Sequence, residues 1–229
     1  RAKPFTFSVL FPRGISIERE TFYLSDNIEL EDFVFKFPKG SYFSILVAST
    51  DYEFLMRLYN GLLDLKEFPF NKDITISIAR ILPVEKRPSI GDKVFFRTLS
   101  PILIEGKDKK PIFNKDGTFD MDLFNKELNQ IQDRILNSIR GEGLKRELVF
   151  KPLDGAYKKQ VVKHTLSEIM KGYVEGKFPK PYLTFTCFEG CFKLEGDLED
   201  LNILYDIGIG LRTGQGFGMV EVINSGQEK

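Results

Sequence analysis

Residues 208–218 read Gly208-Ile209-Gly210-Leu211-Arg212-Thr213-Gly214-Gln215-Gly216-Phe217-Gly218, and no other stretch of the 229-residue chain restricts the fold as much. Five glycines in eleven residues exceed what core packing uses, and they indicate backbone at positive φ and close approach by another group. The neighbouring sequence predicts a helix before this stretch, capped by Asp197, and a strand after it. That order is the reverse of a dinucleotide-binding fingerprint, and no Gly-Lys-Ser/Thr ending marks a P-loop.

This stretch, called the glycine loop below, combines many backbone N–H groups with Arg212 and Thr213. Exposed amides beside a cation suit a phosphate backbone, so we expect the loop's amides to be free for a bound nucleotide strand. The alternative is a long turn that only joins a helix to its strand, since glycine also marks ordinary loops. On the first interpretation, a β-branched residue at Gly216 or Gly218 weakens binding of the nucleotide strand more than folding.

Upstream of the glycine loop, strand-like and helix-like segments alternate. Strands are predicted over residues 94–104, 148–150, 160–165, 182–194 and 217–223, the second and third as parts of one long bent strand. The span 119–140 is predicted to be helical because apolar residues recur every three or four positions, at Phe124, Leu128, Ile131, Ile135 and Ile139. With the short helix after Asp197, the order is β-α-β-β-α-β, that of a ferredoxin-like fold.

The N-terminal half gives a shorter pattern. Alternating apolar residues predict strands over 5–11, 30–37 and 74–78, and the run 42–48 is predicted to pair as a hairpin with 30–37 across the turn at Pro38. Thr50 and Glu53 form a capping box that begins a helix. The order β-β-α-β is that of a ferredoxin-like half without its opening β-α unit.

The missing unit has two consequences for the expected fold. We expect the chain, which begins at Arg1, to be a fragment, and we expect the incomplete half to expose part of one apolar face. A smaller, irregular first domain is the alternative. The predicted fold class is α+β with two tandem ferredoxin-like (RRM-like) domains: residues 1–83, a Pro-rich and charged linker at 84–93, and residues 94–229.

Composition narrows the function only slightly. The net charge is zero, with 33 Lys plus Arg against 33 Asp plus Glu, which argues against an indiscriminate nucleic-acid binder but leaves room for a local basic groove. Cys187 and Cys191 are expected to be free thiols in a cytoplasmic protein. With one histidine and one cysteine pair, the sequence predicts no metal site or cofactor. The sequence also predicts no membrane-spanning segment.

The glycine loop resembles the signature loop of a known protein family. Gly208-Ile209-Gly210, five residues, then Gly216-Phe217-Gly218 before a C-terminal strand is similar to the loop of the sixth Cas family, the CRISPR repeat-RNA processing endoribonucleases of the RAMP superfamily. Three other segments also resemble this family, and the similarity extends over residues 3–222. They are Phe5-Thr6-Phe7-Ser8, Leu99-Ser100-Pro101-Ile102 and Phe192-Lys193-Leu194-Glu195-Gly196.

The resemblance implies tandem ferredoxin-like domains that bind precursor CRISPR repeat RNA along the cleft between them. The family's reaction is metal-independent: a ribose 2′-hydroxyl attacks the adjacent phosphorus and leaves a cyclic phosphate and a 5′-hydroxyl. Lys3 matches a lysine that stabilises the phosphorane. The family's general-base histidine and its tyrosine have no counterpart here. Either they belong to a preceding segment, or this member works without a histidine, or it binds RNA without cutting.

A basic segment in the second half is a further candidate RNA contact. Lys158, Lys159, Lys163 and His164 lie on the predicted strand, and Lys171 and two tyrosines, Tyr157 and Tyr173, are near in sequence. An edge strand that lysines protect from aggregation is the alternative. His164 is expected to be an exposed strand residue or an RNA contact and not a base. The candidate RNA-binding residues are Gly208, Gly210, Arg212, Thr213, Gly214, Gln215, Gly216, Gly218, Lys158, Lys159, Lys163 and His164.

Three functions therefore remain open from the sequence. The first is an endoribonuclease that matures CRISPR RNA, the second a non-cutting carrier of repeat RNA, and the third a structural subunit of an RNA-guided interference complex. The fold alone does not separate them. Besides repeat RNA, other Cas proteins and a second copy of this chain are candidate partners.

Overall fold

The computed structural model describes residues 4–25, 28–70, 74–84, 88–106, 112–114, 116–164 and 167–223. The strands are β1 (Phe5–Leu10), β2 (Ser16–Ser25), β3 (Ile28–Lys36), β4 (Ser44–Ser49), β5 (Glu67–Pro69), β6 (Thr75–Ser77), β7 (Lys93–Thr98), β8 (Val149–His164), β9 (Leu183–Glu195) and β10 (Val220–Val222). The helices are α1 (Tyr52–Asp64), α2 (Met121–Arg140), α3 (Ser167–Val174) and α4 (Leu198–Ile207), with a 3-10 turn at Thr213–Gln215.

The C-terminal half is an antiparallel sheet with the strand order β10-β7-β9-β8. These are the fourth, first, third and second strands of a β-α-β-β-α-β unit, so the predicted ferredoxin-like fold of this half is confirmed, with α3 added before β9. Helices α2 and α4 cover one face of the sheet and enclose the main core. Its fully buried residues include Phe96, Phe124, Leu128, Phe150, Phe188, Phe192, Leu201 and Leu204.

Both ends of α2 are fixed by local chemistry. Asp120 Oδ1 accepts an N–H of the first turn at 3.0 Å, and Gly141 ends the helix with a left-handed φ of 81°. A buried ion pair then joins α2 to α4, because Arg140 Nη2 lies 2.6 Å from the fully buried Asp200 Oδ1. The other Asp200 oxygen accepts the backbone N–H of Lys145 at 2.7 Å.

Strand β8 is the outer strand of this sheet, and it runs through both segments that the sequence predicts as one bent strand. Its register shifts between Pro152 and Tyr157, which accounts for the bend. Two asparagines of α2 cover its outer edge. The Asn125 side chain exchanges two hydrogen bonds with the Phe150 backbone (2.7 and 3.0 Å). Asn129 does the same with Leu148 (2.7 and 2.9 Å).

Gln132 follows these asparagines along α2 and is fully buried. Neither its Nε2 nor its Oε1 has a hydrogen-bond partner among the described residues. A buried amide without partners destabilises a fold, so Gln132 is a weak point of the core.

A smaller apolar cluster lies on the opposite face of the sheet, since neighbouring residues of a strand point to opposite sides. It contains Leu103, Phe185, Cys187 and Phe217, so that the glycine loop and the segment after β7 cover this face. Burial raises the pKa of the Cys187 thiol to about 12. Cys187 and Cys191 are both free thiols, and Cys191 is half-buried.

The N-terminal half differs from the prediction in its pairing. Strand β4 pairs antiparallel with β1 and not with residues 30–37, which form a long hairpin with the unpredicted strand β2. Helix α1 is capped by Asp51, whose Oδ1 accepts the Phe54 N–H at 2.9 Å, and not by Thr50. The short strand β6 pairs with β5.

Helix α1 of the N-terminal half leaves apolar side chains exposed, whereas the expected lack of an opening β-α unit stays a prediction. Helix α1 contributes no buried residue, and Met56, Tyr59 and Leu63 are 59%, 40% and 55% exposed. The architecture is α+β with tandem ferredoxin-like halves, of which the second is complete. The division at residues 84–93 stays a prediction, since residues 85–87 lie outside the described residues. Among the helices described, none combines the length and apolar content needed to cross a membrane.

Candidate nucleic-acid interface

The glycine loop lies where the two halves meet, against strand β1. Thr6 Oγ1 donates a hydrogen bond to the Phe217 carbonyl at 3.1 Å, and Ser8 Oγ donates to the Leu99 carbonyl at 2.6 Å. Both β1 side chains are buried. A β-carbon placed on Gly216 would lie 3.3 Å from the Phe7 ring. Two of the segments that resemble the Cas family in sequence therefore contact each other directly.

The expectation that the loop's amides are free is wrong for most of them. Six loop N–H groups donate to backbone oxygens within the protein: those of Gly208, Ile209, Leu211, Gln215, Gly216 and Gly218. The acceptors include Pro101 and Leu103, which follow β7 and lie far from the loop in sequence. Much of the loop thus uses its hydrogen bonds for folding and not for a ligand.

The buried glycines have a packing role. Gly210 has a φ of 92°, and a β-carbon there would lie 2.5 Å from the Leu103 oxygen. A β-carbon on Gly218 would overlap the carbonyl of Ile209. Substituting Gly218 should therefore impair folding first, which reverses the expectation from the sequence for that position.

Arg212 is the part of the loop best placed to meet a ligand. It is exposed, and among the described residues it is the non-glycine residue with a positive φ, at 58°. Its guanidinium lies 4.7 Å from the centre of the Phe185 ring, and its Nη1 donates to Gln215 Oε1 at 2.9 Å. No described carboxylate forms an ion pair with it. A planar cation held by a ring and an amide is pre-organised to bind a phosphate.

The basic segment of β8 ends beside this arginine. The His164 ring centre lies 6.1 Å from that of Phe185, so Phe185 is a neighbour of both His164 and Arg212. His164 Nδ1 is enclosed and has no partner among the described residues. The structure thus brings together two predicted sites, the glycine loop and the end of β8.

The remaining predicted residues have varied surroundings. Lys158 Nζ pairs with Glu189 at 3.1 Å, and Lys159 is exposed. Thr213 is buried, whereas Gly214 is half-buried. Lys3 lies outside the described residues. RNA contact by any of these residues, and the catalytic role of Lys3, stay predictions.

Tyr157 is not available to stack a base. Its ring stacks on the core residue Phe188, with centres 5.5 Å apart, and it also contacts Phe119. The sequence missed Phe185, which supports Arg212. Phe185 of β9 pairs with Val162, which belongs to the basic segment of β8. A prediction that β9 pairs with this segment would have placed Phe185 beside it.

Solved structures with the same fold define the class of protein. The chain is similar to "Characterization of a Cas6-related gene from Pyrococcus furiosus" (TM-score 0.66, 20% identity, 97% of this chain and 79% of that chain). It is also similar to "An RAMP protein binding different RNA substrates" (TM-score 0.64, 19%, 96% and 80%) and to "CRISPR associated protein Cas6" (TM-score 0.59, 19%, 97% and 79%). The fold is therefore that of RAMP proteins with tandem ferredoxin-like domains.

Comparison with protein families gives the family itself. The family model described as "CRISPR associated protein Cas6, C-terminal" matches residues 84–222, more than half of the chain. The chain belongs to the Cas6 family of CRISPR processing proteins. No curated protein sequence matches it.

Proposed function

We propose that this protein binds CRISPR repeat RNA at the glycine loop and cleaves it during CRISPR RNA maturation in the cytoplasm. The observation that supports this most is Arg212, an exposed cation held by Phe185 and Gln215, without a described acidic partner. Six loop amides are bonded internally, so the loop supplies a fixed platform and Arg212 supplies the charge. Lys159 and Lys163, both exposed, add positive charge along β8.

The proposed reaction is attack by a ribose 2′-hydroxyl on the adjacent phosphate. It requires alignment of the attacking oxygen, proton transfer and stabilisation of the charged phosphorane. Arg212 would hold the RNA backbone, and Lys3 would stabilise the phosphorane. Because such a contact strengthens only as charge develops, Lys3→Ala should slow cleavage while leaving RNA binding near normal.

The cleavage test uses synthetic CRISPR repeat RNAs labelled at either end and incubated with the protein in excess chelator. We expect one cut that leaves a cyclic phosphate, and no cut when the nucleotide upstream of the cut carries a 2′-deoxyribose. Cleavage that survives the 2′-deoxy substitution would refute the mechanism. Tight binding without cleavage would identify a carrier, and the absence of both would favour a structural subunit.

The role of Arg212 is tested by neutralising it. Arg212→Gln should weaken RNA binding and lower the slope of log affinity against log salt by roughly 0.7, the contribution of one phosphate contact on a single strand. Arg57→Gln is the matched control, because Arg57 is also exposed but pairs with Glu53 on α1. If both variants bind RNA equally well, Arg212 is not part of the interface.

A non-cutting carrier is the second candidate, and one observation favours it. The chain has one histidine, His164, and it lies at the end of β8 with its Nδ1 enclosed. A general base must come within hydrogen-bond reach of the 2′-hydroxyl, which an enclosed nitrogen does not offer. The Nε2 nitrogen of His164 is not one of the enclosed atoms without a partner. His164→Ala therefore separates the enzyme from the carrier. Loss of cleavage with normal RNA binding would make His164 part of the reaction.

A further inference from the structure

A second group of aromatic and basic side chains lies outside the glycine loop, where the β2–β3 hairpin meets the end of β8. Lys163 Nζ lies 4.8 Å from the ring centre of Tyr182 and 5.7 Å from that of Phe33. The guanidinium carbon of Arg19, which lies directly opposite Phe33 in the hairpin, is 5.2 Å from the same Phe33 ring. We call these four residues the cation–aromatic junction; it joins the N-terminal half to the C-terminal half.

Within the described parts of the chain, the two cations of the junction lack ion-pair partners. Neither Arg19 nor Lys163 forms an ion pair with a described carboxylate. Glu18 and Glu20 point to the opposite face of the hairpin, because strand residues alternate, and both bind Lys36 there, at 2.5 and 3.1 Å. Two cations next to one ring thus remain free to attract an anion.

The rings of the junction are also accessible. Phe33 is 45% exposed and Tyr182 is half-buried. An exposed ring beside an unpaired cation is the arrangement by which proteins hold single-stranded RNA, with a base on the ring and a phosphate on the cation. Glu31, two residues before Phe33 on the same face, limits the site on the side of the hairpin tip.

The junction is continuous with the proposed RNA-binding surface. Lys163 precedes His164, whose ring lies next to Phe185 beneath Arg212. Side chains of adjacent strand residues point to opposite sides, so a strand of RNA would pass around β8 to reach both. Such a path requires a free edge on β8, and β8 is an edge strand of its sheet.

We propose that the cation–aromatic junction binds an unpaired nucleotide of the RNA held at the glycine loop. This inference rests on the proposed function. The base stacks on Phe33 and Tyr182, and Lys163 leaves the rings to bind a phosphate together with Arg19. The flexible side chain of lysine permits this exchange. The junction therefore selects RNA with a single-stranded segment beside the part bound at Arg212.

The test measures binding of the full chain to a fluorescein-labelled oligouridine of about 12 nucleotides and to a labelled repeat RNA. Phe33→Leu and Tyr182→Leu should each weaken binding of both RNAs by about tenfold. Lys163→Gln should lower the salt slope by roughly 0.7. Phe22→Leu is the matched control and should bind as the parent does, since Phe22 is 42% exposed on the opposite face of the same hairpin.

The outcomes separate this inference from the proposed function. If the parent binds no RNA, both fail. If the parent binds RNA and the Phe33 and Tyr182 variants match the Phe22 control, the junction is not an RNA site, whereas the proposed function stands. Phe33→Tyr keeps a ring and should retain parent affinity, and a circular dichroism spectrum of Phe33→Leu that matches the parent excludes a folding defect as the cause of any loss. If Phe33→Leu instead dissociates an oligomer in light scattering without changing RNA affinity, the junction is a protein contact and the inference is overturned.

Discussion

Replacing Gly210 with alanine should destabilise the C-terminal half by about 3–6 kcal/mol, because three effects act at one position. The φ of 92° disfavours an L-residue by about 1–2 kcal/mol. The new β-carbon would lie 2.5 Å from the Leu103 oxygen and 3.2 Å from Ile102 Cγ2, an overpacking of about 1–3 kcal/mol in a buried position. The Leu103 oxygen also accepts the Leu211 N–H at 2.8 Å, and displacing it weakens that bond by about 1 kcal/mol.

Urea unfolding followed by circular dichroism measures this loss, since the chain has no tryptophan. Gly141→Ala is the control: Gly141 also has a positive φ, 81°, but a β-carbon there would meet nothing within 4 Å. It should lose only about 1–2 kcal/mol. Equal losses in the two variants would refute the reasoning, because they would show that the close contacts of Gly210 contribute nothing.

Three further predictions concern buried polar groups. Gln132→Leu should raise the free energy of unfolding by about 1–2 kcal/mol in urea, since it removes an amide without partners; a loss of stability would contradict this. Asp200→Asn should lower it by about 3 kcal/mol, because Arg140 stays buried without its carboxylate; an unchanged urea midpoint would show that the pair is dispensable. With its pKa raised to about 12, folded Cys187 should resist iodoacetamide at pH 8 while Cys191 is alkylated, and mass spectrometry would detect the opposite order.

The C-terminal half could be predicted because its signals are local. The three- and four-residue spacing of Phe124, Leu128 and Ile131 defines the face of α2 that becomes the core. Asp197 caps α4 by accepting two backbone N–H groups, as its position before an apolar run indicates. These patterns depend on neighbours within one or two turns, so one sequence contains them.

The missed features depend on residues distant in sequence. Strand β2 carries Glu18, Arg19 and Glu20 in succession, which hides its alternation because both faces of the hairpin are largely exposed. The pairing of β4 with β1 spans the whole hairpin and has no local signal. The same holds for two amides of the glycine loop, which are bonded to Pro101 and Leu103 about a hundred positions earlier.

The proximity of Arg212 and His164 to the same ring likewise had no local signal in the sequence. Both residues were candidates from the sequence, but Phe185, which lies between them, belongs to a different strand. Only the fold of the sheet brings the three together. Candidate residues could therefore be named from composition and motif, whereas the way in which they combine required the pairing of β8 with β9.

The asparagines that cover β8 restrict how this protein can assemble with others. At Leu148 and Phe150 the outward backbone groups are already occupied by amide side chains, and Pro152 has no N–H to offer. A strand of another chain therefore finds no continuous row of free backbone N–H and C=O groups along the first part of β8. It cannot extend the sheet there by strand pairing. Along β8, extension of the sheet by another chain is confined to residues 157–164, where lysines discourage it unless an acidic partner neutralises them.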